Sequence, residues 1–209
     1  MQSFQNLTRR LTLYRPGKVM GRKTMVAAAV SILMCSVNGK IQVLMIQRAI
    51  RKGDPWSGNM AFPGGLAQSG DISLIHTAKR ELLEEAGIDI DVHGTPVGRL
   101  SDRLTKAHNR WKPMVVVPYV FKVDHLNDLK LDTKEAVDWV WIPLDFLADP
   151  INREKMRWRR GKFNITLPCY WYKGKRVWGL SLRMLDELLA LYQDNHPQNM
   201  SRWKLRGRI

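Results

Sequence analysis

Apolar and polar positions divide this chain into blocks with two distinct periods. Residues 25–37 and 41–48 are nearly continuous apolar runs, with Val37-Asn38-Gly39-Lys40 between them. Asn-Gly between two such runs predicts a tight hairpin, because both turn residues must adopt positive φ. A polar loop follows over 49–59. The period then changes. Leu74, Ile75, Ala78, Leu82 and Ala86 recur at helical spacing, so a helix from about 73 to 86 should bury that face. Ser73 is placed to cap its start and Gly87 to end it in a left-handed turn.

Further along, residues 88–100 read as a strand region with a break at Gly94-Thr95-Pro96. The run MVVVPYVFKV at 114–123 is rich in β-formers, and its Pro118 points to an edge strand or a bulge. EAVDWVWIPL at 135–144 alternates in part and leads into a short helical LDFL. FNITLPCYWY and KRVWGL, split by Lys173-Gly174-Lys175, predict a second hairpin, and SLRMLDELLALYQ at 181–193 a closing amphipathic helix. The basic stretch 151–162 reads as a solvated loop in preference to an RNA-binding segment.

The predicted helix carries chemistry on its other face. Glu81, Glu84 and Glu85 fall at i, i+3 and i+4, so their carboxylates should converge. Crowded carboxylates repel one another unless a cation sits among them. Hard oxygen ligands suit Mg²⁺ or Mn²⁺, the ions of phosphate chemistry. A solvated acidic face is the plain alternative for a bare E-x-x-E-E. Arg80 can pair with Glu84 one turn on or reach back to Asp71. Gly64 and Gly65 let the backbone approach a ligand, and a free carbonyl there could join a metal sphere.

Charge refines this organisation. The 209 residues carry a net +15, but unevenly. Residues 1–24 hold six Lys/Arg and no acid, 25–150 hold 14 against 15 acids, and 151–209 hold 14 against four. We expect a basic amino-terminal extension over 1–24, one domain over 25–193 and a basic tail over 194–209. Basic ends can steer an anionic substrate or bind nucleic acid or an acidic membrane surface, with a plain solubilising surface as the alternative. No apolar run reaches the ~18 residues of a membrane span. Two cysteines, Cys35 and Cys169, make no disulfide framework and fit a reducing cytoplasm. The amino-terminal stretch contains Arg and no acid but is not Ser-rich, so a transit peptide is not favoured.

The segment FPGGLAQSGDISLIHTAKRELLEEAGI at 62–88 resembles the Nudix box, G-x5-E-x7-R-E-U-x-E-E-x-G-U with U aliphatic. Arg80, Glu81, Leu82, Leu83, Glu84, Glu85, Ala86, Gly87 and Ile88 match its second half throughout. In the first half Asp71 replaces the glutamate, and eight residues rather than seven separate it from Arg80. The resemblance implies a Nudix-type α/β/α sandwich around a mixed β-sheet. It implies Glu81 and Glu85 as principal metal ligands, Glu84 as a third ligand or holder of metal-bound water, and the Gly65 carbonyl as a further ligand. Arg80 would orient the glutamates, Asp71 would be structural, and Glu135 would be a candidate base or extra ligand. The implied reaction is hydrolysis of a diphosphate linkage in a small nucleotide derivative.

LMIQRA at 44–49, Gly58, FPGG at 62–65, Thr77-Ala78, PLDFLADP at 143–150 and VWGLSLRML at 177–185 resemble the coenzyme A diphosphatase branch. The branch has an Arg where Asp54 stands, so a substrate phosphate would need another partner, with Arg51, Lys52 or the 151–162 stretch available. ADP-ribose, nucleoside diphosphate sugars and dinucleoside polyphosphates remain alternative substrates, and nucleic-acid binding with action on capped RNA an alternative function. Trp56, Trp111, Trp158, Trp171 and Trp178 could stack on adenine, though packing is the commoner role of each. The histidines at 76, 93, 108, 125 and 196 show no ligand spacing.

Overall fold

The computed structural model describes residues 3–52, 56–106, 112–124, 126, 129–160 and 163–194. Asp54, Trp111, His108, His125, His196 and most of the 194–209 tail lie outside the described residues.

The predicted hairpin is present. Strand β1 (Val26–Val37) turns through Asn38 and Gly39, at φ 51° and 74°, into β2 (Lys40–Arg48). The two strands pair only from Met34–Val43 to Val37–Lys40. Beyond that they diverge, and a short connection fills the gap: β3 (Met60–Ala61) pairs with β2, and β4 (Gly64–Leu66) pairs with β1. The Phe62-Pro63-Gly64-Gly65 segment is thus wedged into the centre of the sheet. It is fastened by Ser31 N–H to the Pro63 carbonyl at 2.8 Å. Gly64 is obligatory there, because a Cβ would stand 2.3 Å from the Ala29 carbonyl oxygen.

Helix α1 (Phe4–Leu13) precedes the sheet. Helix α2 (Leu74–Ala86) follows the wedge, capped by the Ser73 hydroxyl and closed by Gly87 at φ 68°, as the sequence predicts. Of its expected inner face, Ala78, Leu82 and Ala86 are fully buried while Leu74 and Ile75 are half-buried. The chain makes one helical turn, α3 (Ile90–His93), then β5 (Gly94–Arg99), β6 (Arg103–Lys106) and β7 (Pro113–Val123). Gly94-Thr95-Pro96 therefore opens a strand rather than breaking one. Pro118 is not on an edge. Strand β7 is central, parallel to β1 on one side and antiparallel to β5 and β6 on the other. Proline is tolerated because it lies opposite the break between those two partners, where its carbonyl accepts from Leu100 N–H.

Strand β8 (Ala136–Pro143) covers the outer edge of β2 and runs into α4 (Leu144–Ala148). A separate antiparallel sheet follows, β9 (Arg153–Arg160), β10 (Phe163–Tyr172) and β11 (Lys175–Trp178), before α5 (Gly179–Tyr192). The second predicted hairpin is β10–β11. The basic stretch expected to be a loop is instead strand β9. It turns Lys155, Arg157 and Arg159 outward while Met156 is buried and Trp158 half-buried.

Alternation along the strands separates two cores. Leu33, Cys35, Leu44 and Phe121 pack with Leu82 and Ala86 of α2. Ile32, Met34, Val43 and Val120 pack on the other face with Leu185 and Leu188 of α5 and with Leu7 and Leu11 of α1. The mixed sheet between helical layers is the α/β/α sandwich expected. Within segment 1–24, Leu7 and Leu11 are 0% and 1% exposed, and Arg10 donates to the Leu191 and Tyr192 carbonyls at the end of α5.

Candidate active site

The wedge and α2 together place the acidic face. Ser31 Oγ donates to the Ala78 carbonyl at 2.8 Å, tying the buried side of α2 to β1. Gly64 N–H donates to Glu85 Oε2 at 2.8 Å, joining the wedge to the helix. A Cβ on Gly65 would come within 2.6 Å of the Glu81 carboxylate, so bare backbone lies directly against that group.

At the start of α2, Asp71 is the anchor. Its side chain is 2% exposed and accepts from Arg80 Nε and NH2 at 3.0 Å each, from Thr77 Oγ1 and from Gln68 N–H, with His76 Nδ1 at 3.2 Å. The Arg80 guanidinium, seconded by these other donors against the opposing effect of burial, holds the Asp71 carboxyl well below the usual range. Arg80 also donates to the Leu66 carbonyl at 3.0 Å. Its NH1 lies 2.8 Å from Glu81 and 2.9 Å from Glu84. Both pairings foreseen for Arg80 thus occur at once, and Asp71 serves as its holder.

The three glutamates are not equivalent. Glu85 is 5% exposed, and burial pushes its carboxyl up to about 7, with further repulsion from Glu81 and Glu135. Burial also raises Glu81, against the pull of Arg80. Glu84 is 54% exposed at its side chain. Among the described residues no three His, Cys, Asp or Glu side chains gather into a cluster that could hold a metal. Glu81 and Glu85 are thus the two carboxylates held out of water, and Glu84 stands at the surface. The Arg80 guanidinium bridges Glu81 and Glu84.

The pair nonetheless fits a hard cation. Two carboxylates held out of water, with too few donors to keep both ionised comfortably, sit beside the half-buried backbone of the glycine wedge. Mg²⁺ needs only one or two carboxylates when waters and substrate phosphates complete its shell. Glu135, just before β8, pairs with Arg51 at 2.6 Å. Arg51 also donates to the Lys134 carbonyl, so this candidate phosphate partner is already engaged at the protein surface. Of the histidines, His76 joins the Asp71 network, in keeping with a structural role.

Next to the pair opens a largely apolar cavity of about 350 Å³. Gly64, Gly65 and Arg48 line it, together with Val30, Val116 and Met184. Trp56 and Trp178 form another part of its wall, as do Thr105 and Lys106. In the sequence Arg48 stands out only as a motif position, and nothing there marks Lys106 or Met184 as wall residues. The one signal for Arg48 was its place at the end of an apolar strand, just ahead of the glycine wedge.

A family model described as the NUDIX domain matches residues 25–164. The chain belongs to the Nudix hydrolase family. That match covers the acidic helix and all of the main sheet but ends at the start of β10, before β11 and α5. The chain is 32% identical over 168 residues to the mitochondrial coenzyme A diphosphatase of Homo sapiens, covering 79% of this chain and 69% of that protein. It is 40% identical over 110 residues to an uncharacterised protein of Schizosaccharomyces pombe, covering 52% of this chain, and it spans only 33% of that relative's length. Among solved structures, a MutT protein from Methanosarcina mazei superposes with a TM-score of 0.50 at 16% identity, covering 87% of this chain and 98% of that one. This supports the Nudix fold alone. No described helix is long and apolar enough to cross a membrane.

Proposed function

We propose that the protein is a metal-dependent diphosphatase whose substrate is coenzyme A or an acyl-coenzyme A. The observation that carries the substrate reading is the 32% identity with a coenzyme A diphosphatase over most of both chains. The large apolar cavity beside the acidic pair supports it, since the acylated pantetheine arm is long and poor in charge. ADP-ribose and dinucleoside polyphosphates are the alternative substrates. The exposed row Lys155, Arg157 and Arg159 keeps capped RNA among the compounds to try.

In this reading Glu81 and Glu85 hold the ion, Mg²⁺ or Mn²⁺, with Glu84 and the Gly65 carbonyl as further ligands. When bound, the ion would neutralise charge on the diphosphate and lower the pKa of the attacking water. Arg80, clamped by Asp71, holds Glu81 in place. Gly64 N–H fixes the Glu85 carboxylate through one oxygen. Arg48 lies near enough to oppose the upward shift of Glu85, and it lines the cavity, which suits it to a substrate phosphate. Glu135, tethered by Arg51, is the candidate to accept a proton from water. Two buried cysteines, Cys35 and Cys169, suit a reducing compartment, either the cytoplasm or the mitochondrion named for the human relative.

The test is product analysis with Mg²⁺ or Mn²⁺ over coenzyme A, ADP-ribose, diadenosine polyphosphates and capped RNA. Selective release of 3′,5′-ADP and phosphopantetheine supports the coenzyme A reading. Preferential turnover of another compound replaces the substrate and keeps the family chemistry.

A further inference from the structure

Three hydrogen bonds, each 2.8 Å long, close a ring through the acidic site. Ser31 Oγ donates to the Ala78 carbonyl of α2. Further along that helix, Glu85 Oε2 accepts from Gly64 N–H. The adjoining Pro63 carbonyl accepts from Ser31 N–H, which returns the ring to its start. Ser31 makes two of the three bonds, one from its backbone to the wedge and one from its side chain to the helix.

Serine is an unexpected residue at this place. Ser31 lies in the middle of β1, between Val30 and Ile32, and is 0% exposed. Its side chain shares the face of Leu33 and Cys35, against α2. Alanine would suit that apolar layer, because a buried hydroxyl costs free energy unless it is bonded. The bond it makes is not one the fold lacks. Ala78 is interior to α2, where the helix ladder already serves its carbonyl. The hydroxyl therefore supplies position rather than satisfying an orphan group.

Helix geometry shows what that position controls. Residues seven apart stand about 10.5 Å apart along a helix and only about 20° apart around it. Ala78 and Glu85 thus share one stripe, with Glu81 between them. A tether at Ala78 sets the height and rotation of that stripe over β1. The wedge, whose Gly64 must meet Glu85, is set on the same residue of β1 through Pro63. Among the described residues, no hydrogen bond of Asp71 or Arg80 reaches Glu85, so their network cannot replace the ring.

We propose that Ser31 is a positioning residue of the acidic pair, holding α2 and the glycine wedge in the register that lets Glu85 meet Gly64 and a bound cation. The part that concerns a cation rests on the ligand role proposed above for Glu81 and Glu85. The part that concerns register stands on the three bonds.

The experiment compares wild type with Ser31→Ala, Ser31→Cys and, as a stability control in the opposite layer, Leu11→Ala. Cysteine keeps nearly the size of serine but is a weak donor, so it separates the hydrogen bond from a void. Electron paramagnetic resonance gives the Kd for Mn²⁺ without substrate. Amide hydrogen exchange, followed by NMR, compares Gly64 N–H with the core amides of β1. We expect both Ser31 variants to raise the Mn²⁺ Kd roughly 10-fold and to speed Gly64 exchange relative to the β1 core. Leu11→Ala should lose more stability yet keep the Kd within about 3-fold of wild type. Unchanged Kd and unchanged Gly64 exchange in both Ser31 variants overturn the proposal. An equal rise of Kd in Leu11→Ala also overturns it, because the effect would then be a general loss of stability. A wild type that binds no Mn²⁺ removes the ligand role of the glutamates. Faster Gly64 exchange in the Ser31 variants would then still uphold the register, and unchanged exchange would overturn it.

Discussion

Glu85 and Glu187 are helix carboxylates of nearly equal burial, 5% and 2% exposed, in the two helical layers on opposite faces of one sheet. Their surroundings differ completely. Glu187, on α5, accepts from Tyr14 Oη at 2.6 Å and Ser101 N–H at 2.8 Å, and it pairs with Arg103. Among the described residues Glu85, on α2, accepts one hydrogen bond, from Gly64 N–H, and is pushed up to about 7 by burial. A buried carboxylate surrounded by donors is a structural tie, here joining the amino-terminal segment and β6 to α5. A buried carboxylate with one donor and a second acid nearby is kept charged only at a cost, which a bound cation would remove. The contrast separates architecture from chemistry at two sites that look alike in burial and residue type.

Substitution of each acid should break the contrast in opposite ways. Glu85→Gln is expected to lower kcat on the order of 100- to 1000-fold while leaving the urea midpoint at or above wild type. Gly65→Ala should act on the same side of the contrast. The added methyl meets the Glu81 carboxylate rather than backbone, so activity should fall by up to about 100-fold through misplacement, with little change in thermal midpoint. An inert Gly65→Ala would mean that the position of Glu81 is unimportant.

Glu187→Ala should do the reverse. Leaving Arg103 buried without its carboxylate is expected to cost about 3–5 kcal/mol by urea titration, while kcat per folded molecule stays near wild type. Leu11→Ala tests the same architectural side through packing alone, with an expected loss of about 2–5 kcal/mol. A loss near zero would show that α1 is not part of the cooperative core.

The smallest effect concerns pH. Asp71 is depressed in the folded state by the Arg80 guanidinium, so it contributes stability above the ordinary carboxylate range. That contribution is lost as pH falls below this range, when the unfolded chain takes up the proton first. Acid titration of Asp71→Asn should therefore show a shallower decline below about pH 4 than wild type. Superimposable acid limbs would contradict the anchoring role.

Much of this was legible from local chemistry. Asn38-Gly39 announced the first hairpin, Ser73 and Gly87 bounded α2, and Lys173-Gly174 turned β10 into β11, because each turn or cap is decided by a few adjacent residues. Arg80 was given Glu84 and Asp71 as alternative partners, and it takes both. What failed to show was long-range. The docking of α1 depends on β5 and α5, far away in sequence. Strand β9 was hidden because its outward residues are Lys and Arg, leaving only Met156 and Trp158 as inward signals. Pro118 suggested an edge because the break between β5 and β6 opposite it is invisible locally. The helical spacing of Glu81, Glu84 and Glu85 gave their common face, but not that Glu81 and Glu85 are held out of water while Glu84 stays exposed. The cavity lined by Arg48, Trp56, Lys106, Trp178 and Met184 gathers residues from across the chain, and no single segment foretells it.

The most direct test of the central claim is Mn²⁺ titration followed by electron paramagnetic resonance, on wild type, Glu85→Gln and Glu187→Gln without substrate. Binding is expected in wild type, lost or much weakened in Glu85→Gln and retained in Glu187→Gln. Equal Mn²⁺ affinity in wild type and Glu85→Gln would contradict it, because the acid left with one donor would then not be the one reserved for a cation.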